Sequence, residues 1–300
     1  MGDLSGIEWT DSTFNPWIGC TKISPACDNC YAADWSKRFG DVEWGNHPRR
    51  RTGEKNWNNP RKWNRDADKW EAENGRPRFV FCASLADVFD NQVPTEWRDD
   101  LWKLIKECDR LVWLLLTKRP QNIAKMLPDD WGDGYPNVWL GATVENQEIA
   151  RKNIPHLLSV PASVRFLSVE PIVGEIRLTE LSTMAFSRAE SLNALTGELS
   201  GIMGDPAGYL GRKIDWVISV GESGHNARPA DPDWYRRLRD DCVKGEVDFH
   251  FKQWGEYDAE QERVGKKAAG RLLDGRTWDE RPTPSDSTKR SHCASNQGGV

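Results

Sequence analysis

The chain reads as an α/β protein built on parallel strands, and three features of the sequence predict it. Short apolar runs recur along the chain with helix-patterned stretches between them. The runs begin mostly about 26 to 34 residues apart, the length of a βα unit. Several are apolar nearly throughout rather than alternating, as strands covered on both faces are. The rhythm fits a partial or closed (β/α) barrel of the TIM type, and it equally fits an open doubly wound sheet.

Arg78–Cys82 is the first clear strand, and Thr95–Cys108 follows as a helix with Trp97, Leu101, Leu104, Ile105 and Cys108 on one face. Leu111–Thr117 and Val138–Thr143 are the next strands. A helix is expected from about Asn146 to Leu158, then a strand at Val164–Val169. Ile214–Val220 is followed by a helix opening at Asp231-Pro232, an N-cap residue and then proline at the first helical position. Phe249–Lys252 closes the series. Residues 33–77 break the rhythm as a polar, Trp-rich insertion. Residues 175–212 break it again, with several glycines and weak helical character. The barrel domain is expected to span 1–280, and the Ser/Thr/Pro-rich stretch 281–300 reads as a disordered tail.

Composition narrows the function classes. The 300 residues are 29% charged and 38% hydrophobic, with a mean hydropathy of -0.71, polar but foldable. No run approaches the ~20 apolar residues of a membrane span, and Met1-Gly2-Asp3-Leu4 opens no signal peptide. A cytoplasmic protein without membrane partners is therefore expected. A net charge of -5 disfavours a general coat for polyanions. Locally the balance reverses: Lys37–Arg78 holds twelve Lys/Arg against seven Asp/Glu. There Trp44, Trp57, Trp63 and Trp70 are interleaved with Arg49-Arg50-Arg51, Lys55, Arg61-Lys62 and Arg65. Cations beside indoles suit a nucleic-acid platform whose binding weakens with salt. The competing expectation is that these indoles pack the insertion onto the barrel while the cations stay solvated.

Chemistry in parallel α/β folds gathers at the C-terminal ends of the strands. Those ends carry Ser84 and Asp87, Thr117-Lys118-Arg119, Thr143 with Glu145 and Asn146, Glu170, Gly221-Glu222-Ser223-Gly224-His225, and Lys252-Gln253. His225 could transfer a proton near neutral pH. The sharpest signal precedes the strands: Cys20, Cys27 and Cys30 lie within eleven residues of a chain holding seven cysteines. Three thiolates on one loop can hold three irons of a [4Fe–4S] cluster and leave the fourth iron open. Zinc would want a fourth ligand, for which His47 or Cys82 are the candidates; a non-catalytic, zinc-stapled nucleic-acid-binding protein is the rival reading. A third is a barrel that keeps a cluster only as a structural or redox-sensing element.

Asn15-Pro16-Trp17-Ile18-Gly19-Cys20 through Cys27-Asp28-Asn29-Cys30-Tyr31-Ala32 resembles an uncharacterised, phage-borne family of radical-SAM-like proteins. Thr117-Lys118-Arg119-Pro120, Ser168-Val169-Glu170-Pro171, Gly221-Glu222-Ser223-Gly224, Lys252-Gln253-Trp254-Gly255 and Gly270-Arg271-Leu272-Leu273-Asp274-Gly275 match it too. The resemblance implies a partial TIM-type barrel, a cluster on Cys20, Cys27 and Cys30, and S-adenosylmethionine as cosubstrate in a bacterial or phage-infected cytoplasm. An external flavodoxin-like or ferredoxin-like electron donor, and possibly a nucleotide or nucleic-acid substrate, go with it. On that reading Ser84 or Asp87 would accept the cosubstrate's amino group, Lys118 or Arg119 would meet its carboxylate, and Glu145 or Asn146 its ribose. Glu170, Glu222 and His225 would be the catalytic candidates. Three departures from the commonest radical-SAM pattern stand out: six residues rather than three separate the first two cysteines, Asn29 replaces the usual aromatic residue before the third, with Tyr31 just after it, and Ala83-Ser84-Leu85-Ala86-Asp87 replaces the familiar Gly-Gly-Glu.

Overall fold

The computed structural model describes residues 4–39, 42–182, 191–201 and 206–284. Seven strands form one parallel sheet: β1 (Ser12–Phe14), β2 (Arg78–Cys82), β3 (Leu111–Thr117), β4 (Val138–Thr143), β5 (Val164–Val169), β6 (Trp216–Val220) and β7 (Asp248–Gln253). Each strand lies beside the next in the chain, and β1 and β7 are the two edges. A doubly wound sheet would reverse its strand order part-way; this one does not. The sheet therefore has the winding of a partial (β/α) barrel, open rather than closed. Six of the seven strands fall within two residues of their expected positions. The exception is β1, which pairs Ser12, Thr13 and Phe14 with Val80, Phe81 and Cys82 and is too short to carry a periodic signal.

The chain divides into two compact units, 1–141 with 161–163, and 142–160 with 164–300. In the first, alternation along β1–β3 sends Phe14 and Trp113 to one face, their rings 5.9 Å apart, and Trp57 meets Phe14 edge-on at 5.6 Å. Trp57 belongs to the insertion, which is helical: α1 (Tyr31–Phe39) is followed by short helices at Glu54–Trp57, Asn59–Arg65 and Ala67–Asn74. Helix α2 (Thr95–Glu107) buries Leu101, Leu104 and Ile105 as its spacing predicts, and Trp102 as well. Trp97 is only half-buried, and Arg98 takes a buried place instead, donating to the carbonyls of Val88 and Asp90 at 3.0 Å each.

Part of the insertion's charge is spent on contacts within the protein, while most of its Lys and Arg residues stay exposed. Arg49 forms an ion pair with Asp90 in which both side chains are almost wholly buried (0% and 3% exposed). Arg51 lies over the Trp57 ring at 4.1 Å and pairs with Asp100. Arg78 lies over Trp70 at 3.9 Å, Arg61 bonds Glu107 and Arg76 bonds Asp11. Trp57 and Trp63 are buried. The indoles therefore pack this segment, and Arg49 in particular offers nothing to a phosphate backbone.

In the second unit, α3 (Gln147–Leu158) and α4 (Pro232–Lys244) alternate with β5–β7, and α4 is capped by Asp231 as expected. Tyr235 of α4 packs edge-on against Phe251 at 5.3 Å and Trp254 at 5.1 Å. Among its described residues the 175–212 insertion is not helical. Leu181–Ser182, Ser191–Leu192, Glu198–Ser200 and Pro206–Tyr209 make a four-stranded antiparallel sheet. The signal lay in a turn: Asn193 Oδ1 accepts from the amides of Leu195 and Thr196, and such Asx turns reverse the chain where helical periodicity is weak. After β7 the chain comes back along that edge, Phe251 N donating to Trp278 O at 2.9 Å and Trp216 Nε1 to Glu280 O at 2.9 Å. The expected tail lies outside the described residues from 285 onward. Among the described residues no helix is long and apolar enough to cross a membrane.

Removing one member of a buried ion pair leaves the other charge uncompensated. Arg49→Ala is therefore expected to lower unfolding stability by about 3–5 kcal/mol in urea denaturation, with Arg50→Ala, at an exposed position, changing it by under about 0.5 kcal/mol.

Candidate functional site

The cysteine loop and the ends of β1–β3 are assembled within the first unit. Asn15, directly after β1, accepts from Leu85 N at 2.7 Å through Oδ1 and donates to Ser84 Oγ at 3.0 Å. Trp17 Nε1 donates to the carbonyl of Asp87 at 3.3 Å. Gly19 follows with φ of 113°, and a Cβ there would stand 3.1 Å from both Arg49 Cδ and Val42 Cγ1. The Asn-Pro-Trp-Ile-Gly segment thus docks the loop onto the turn that follows β2, and the first cysteine comes immediately after it.

Two arginines converge on that point. Arg119 Nη1 donates to Asp87 Oδ2 at 3.0 Å and lies 3.5 Å from Cys20 Sγ, while its Nη2 donates to Thr21 O at 2.9 Å. Arg49 Nη2 donates to Thr21 Oγ1 at 2.7 Å and its Nη1 to the carbonyls of Gly45 and His47, with Asp90 behind it. Asp87 also accepts from Thr117 Oγ1 (2.7 Å), Phe89 N (2.9 Å) and Lys118 N (3.1 Å). Its two oxygens are fully engaged, so Asp87 is an internal brace and not a free acceptor for a cosubstrate amine. Ser84 is likewise held by Asn15, and its carbonyl accepts from Tyr31 Oη at 2.8 Å. Arg119 is an anchor for the loop. Lys118 is half-buried and forms no ion pair among the described residues, which makes it the available cation of the two.

Burial pushes the Cys20 thiol up to about 11; nearby Asp87 adds to this and Arg119 opposes it. Burial likewise works against the charge on Arg119, and Asp87 with the Cys20 sulfur outweighs it, so its pKa stands above the ordinary arginine value. Cys27 closes a short 3-10 turn, Pro25–Cys27, with its sulfur 3.9 Å from Ser24 Oγ. Cys30 packs on Ile18, Ala32, Val42 and Leu85. All three are free and half-buried. As a donor set, three free thiols on one short segment suit an iron–sulfur cluster. In this conformation each sulfur has its own seat, and among the described residues no three His, Cys, Asp or Glu side chains are grouped to hold a metal. Cys82 is wholly buried and His47 pairs with Glu43, so neither joins the loop as a fourth ligand.

In the second unit, Glu145 is buried after β4. Asn146 caps α3, its Oδ1 accepting from Ile149 N at 3.0 Å. Glu170 Oε1 lies 3.6 Å from Lys252 Nζ. Glu222, a candidate catalyst from sequence, is gripped by Arg228 through its backbone N, Nε and Nη2 at 2.7–2.8 Å. His225 is exposed on the loop, its carbonyl accepting from Arg263 at 2.6 Å. The Gly-Glu and Trp-Gly motifs have a common cause. A Cβ on Gly221 would fall 1.7 Å from Trp254 O, and one on Gly255 would fall 2.3 Å from Glu222 O, so the two backbones touch only because both are glycine.

These features define a singly wound parallel α/β protein with a braced cysteine loop beyond its strand ends. The chain belongs to the family described as protein of unknown function (DUF5131), whose model matches residues 4–282. No curated protein and no solved structure matches it. Sequence reading missed the bracing roles of Asn15, Arg49 and Asp90; the signal for Asp90 was a second carboxylate directly after the stretch Leu85–Phe89. If the loop is metal-free, thiolate formation limits alkylation of Cys20. Its rate with iodoacetamide is expected to rise about tenfold per pH unit up to about pH 11, the value its burial sets. Arg119→Gln should slow it further, since the guanidinium favours the thiolate.

Proposed function

We propose that the protein is a radical S-adenosylmethionine enzyme whose [4Fe–4S] cluster is held by Cys20, Cys27 and Cys30. The observation that carries the reading is the cysteine loop docked by Arg119 and Arg49 at the ends of β2 and β3, where parallel α/β folds place their chemistry. The family-like motifs at the other strand ends support it. When bound, the cluster supplies an electron that breaks a carbon–sulfur bond of the sulfonium and so yields a carbon radical for C–H activation.

The chain's own groups do the positioning. Arg119, fixed on Asp87, sets where Cys20 stands and offsets negative charge at its sulfur. The remaining two cysteines, on the 3-10 turn and at the start of α1, must close toward it for three sulfurs to share one cluster. Lys118 meets the carboxylate of the cosubstrate. Tyr31 and Asn15 hold Ser84 and the turn after β2 in place beneath the loop. A flavodoxin-like or ferredoxin-like protein is the reading's electron donor.

Anaerobically purified, reconstituted protein should be brown and carry about four irons, the content of one cubane cluster. Cys27→Ala should lose most of that iron, while Cys108→Ala, at a buried position just after α2, should keep it. Dithionite-reduced protein should release 5'-deoxyadenosine, and Lys118→Ala should raise the KM for S-adenosylmethionine at least tenfold with iron content intact. A colourless zinc protein, or full iron in Cys27→Ala, rejects the reading.

A further inference from the structure

The first unit holds a second polar site, which involves no residue of the cysteine loop. A cavity of about 260 Å³ opens at the start of α2 between three pieces of chain. Thr95, Arg98 and Asp99, three and four residues apart, present one face of α2 to it. Lys125, Met126 and Leu127 form a second wall, and Asn91 with Val93, from the turn after β2, a third. The three pieces are bonded to one another. Trp102 Nε1 donates to Met126 O at 3.2 Å, and Asn122 Nδ2 donates to Phe89 O at 2.9 Å and Asn91 Oδ1 at 3.0 Å. Arg98 fastens α2 to the same turn through the carbonyls of Val88 and Asp90. The cavity is thus built into the fold.

Its charge is unbalanced at Arg98, a side chain only 5% exposed that lines the cavity. Arg49 and Arg119, the other buried arginines described in this unit, each have an aspartate as ion-pair partner. Arg98 has two neutral carbonyls, held through Nε and Nη2, and among the described residues no carboxylate within ion-pair reach. Asp90, whose carbonyl it holds, gives its carboxylate to Arg49. Burial therefore works against the charge on Arg98, and Asp99, Asp90 and Asp87 offset it only in part. A buried cation without a counterion is costly. The Nη1 corner of the guanidinium is left over from its two bonds, beside a cavity that can admit the missing anion.

The other polar groups on its walls are donors or cations, with Asp99 the exception. Lys125 is exposed and forms no ion pair among the described residues. Asn91 Oδ1 is taken by Asn122, which leaves its Nδ2 to donate. Thr95 adds a hydroxyl at the first position of a 13-residue helix that no side chain caps, so the positive end of α2 lies here. That set suits a tetrahedral oxyanion. The cavity is larger than one such group, and Met126 and Leu127 give the remainder an apolar wall, which suits an organic phosphate. A phosphodiester within a polymer carries substituents on two oxygens and a single charge. A terminal monoester brings three free oxygens and close to two charges into a concave site. We propose that this cavity binds the phosphate group of a phosphate monoester, with Arg98 and Lys125 as its counterions and Thr95 Oγ1 and Asn91 Nδ2 as donors.

The test titrates the full chain with inorganic phosphate and with adenosine 5'-monophosphate, in chloride buffer at fixed ionic strength. Both should bind saturably in the millimolar range or tighter, and adenosine should not displace inorganic phosphate. Arg98→Gln should weaken both about tenfold or more and Lys125→Ala about fivefold, as loss of charge-assisted hydrogen bonds requires. Asp99→Asn, which removes the one carboxylate, should tighten both about threefold. Lys125 and Asp99 are exposed, so their variants decide the matter should Arg98→Gln, which also loosens the turn after β2, fail to fold. Three results overturn the proposal. Phosphate shows no saturable binding up to ~50 mM; or Lys125→Ala and Asp99→Asn bind it as wild type does, which places it elsewhere; or an oligonucleotide without a terminal phosphate displaces it as well as the 5'-phosphorylated form, which gives the cavity to a phosphodiester backbone. None of these measurements needs a cluster, so failure of the cluster reading, seen as absence of iron, leaves them standing.

Discussion

Two buried arginine–aspartate pairs, Arg119–Asp87 and Arg49–Asp90, hold the first unit's strand ends and its cysteine loop as one piece. Each aspartate comes from the turn after β2, and each arginine reaches over to Thr21, one residue past Cys20. Burying four charges is costly unless every donor and acceptor is met, and here they are met by Thr117, the Lys118 amide, the Phe89 and Gln92 amides and the carbonyls of Gly45 and His47. Such a network specifies one arrangement of loops more sharply than apolar packing would. The position of Cys20 is a consequence of it.

The same economy appears in the second unit, with backbone in place of charge. Gly221 and Gly255 let the strand-end loops after β6 and β7 lie against each other, and Glu256 N completes the contact by donating to Glu222 O at 3.0 Å. Arg228 then closes on Glu222. The Gly-Glu and Trp-Gly motifs thus also fasten the loops that carry them.

The sheet was legible because its strands are long apolar runs at regular spacing, and α4 because Asp231-Pro232 announces a helix start. The order of winding was not, since spacing alone cannot tell a sequential sheet from one that reverses. Elements of two to four residues, β1 and the small antiparallel sheet, lie below the reach of periodicity. The cysteine loop was legible by composition, its braces only in part. Charge on the page does not say whether a cation is solvated or paired. Arg49 sits in the most basic stretch of the chain and looks like a phosphate ligand, but its partner is 41 residues away. Asp87 looked available and is saturated by groups from the next strand.

The return of the chain along β7 has a consequence for the molecule as a solute. An edge strand presents a row of unmet amides and carbonyls to any other extended chain, and parallel sheets are especially exposed to such pairing. Here Trp278 O takes the Phe251 amide, Glu280 takes the Phe249 amide and the Trp216 indole, and Asp279 bridges to His250. The segment serves as a selvedge, finishing the weave so that it does not catch on its neighbours. A protein trimmed before residue 276 would keep all seven strands and lose that finish, leaving β7 open to pairing edge to edge with another chain.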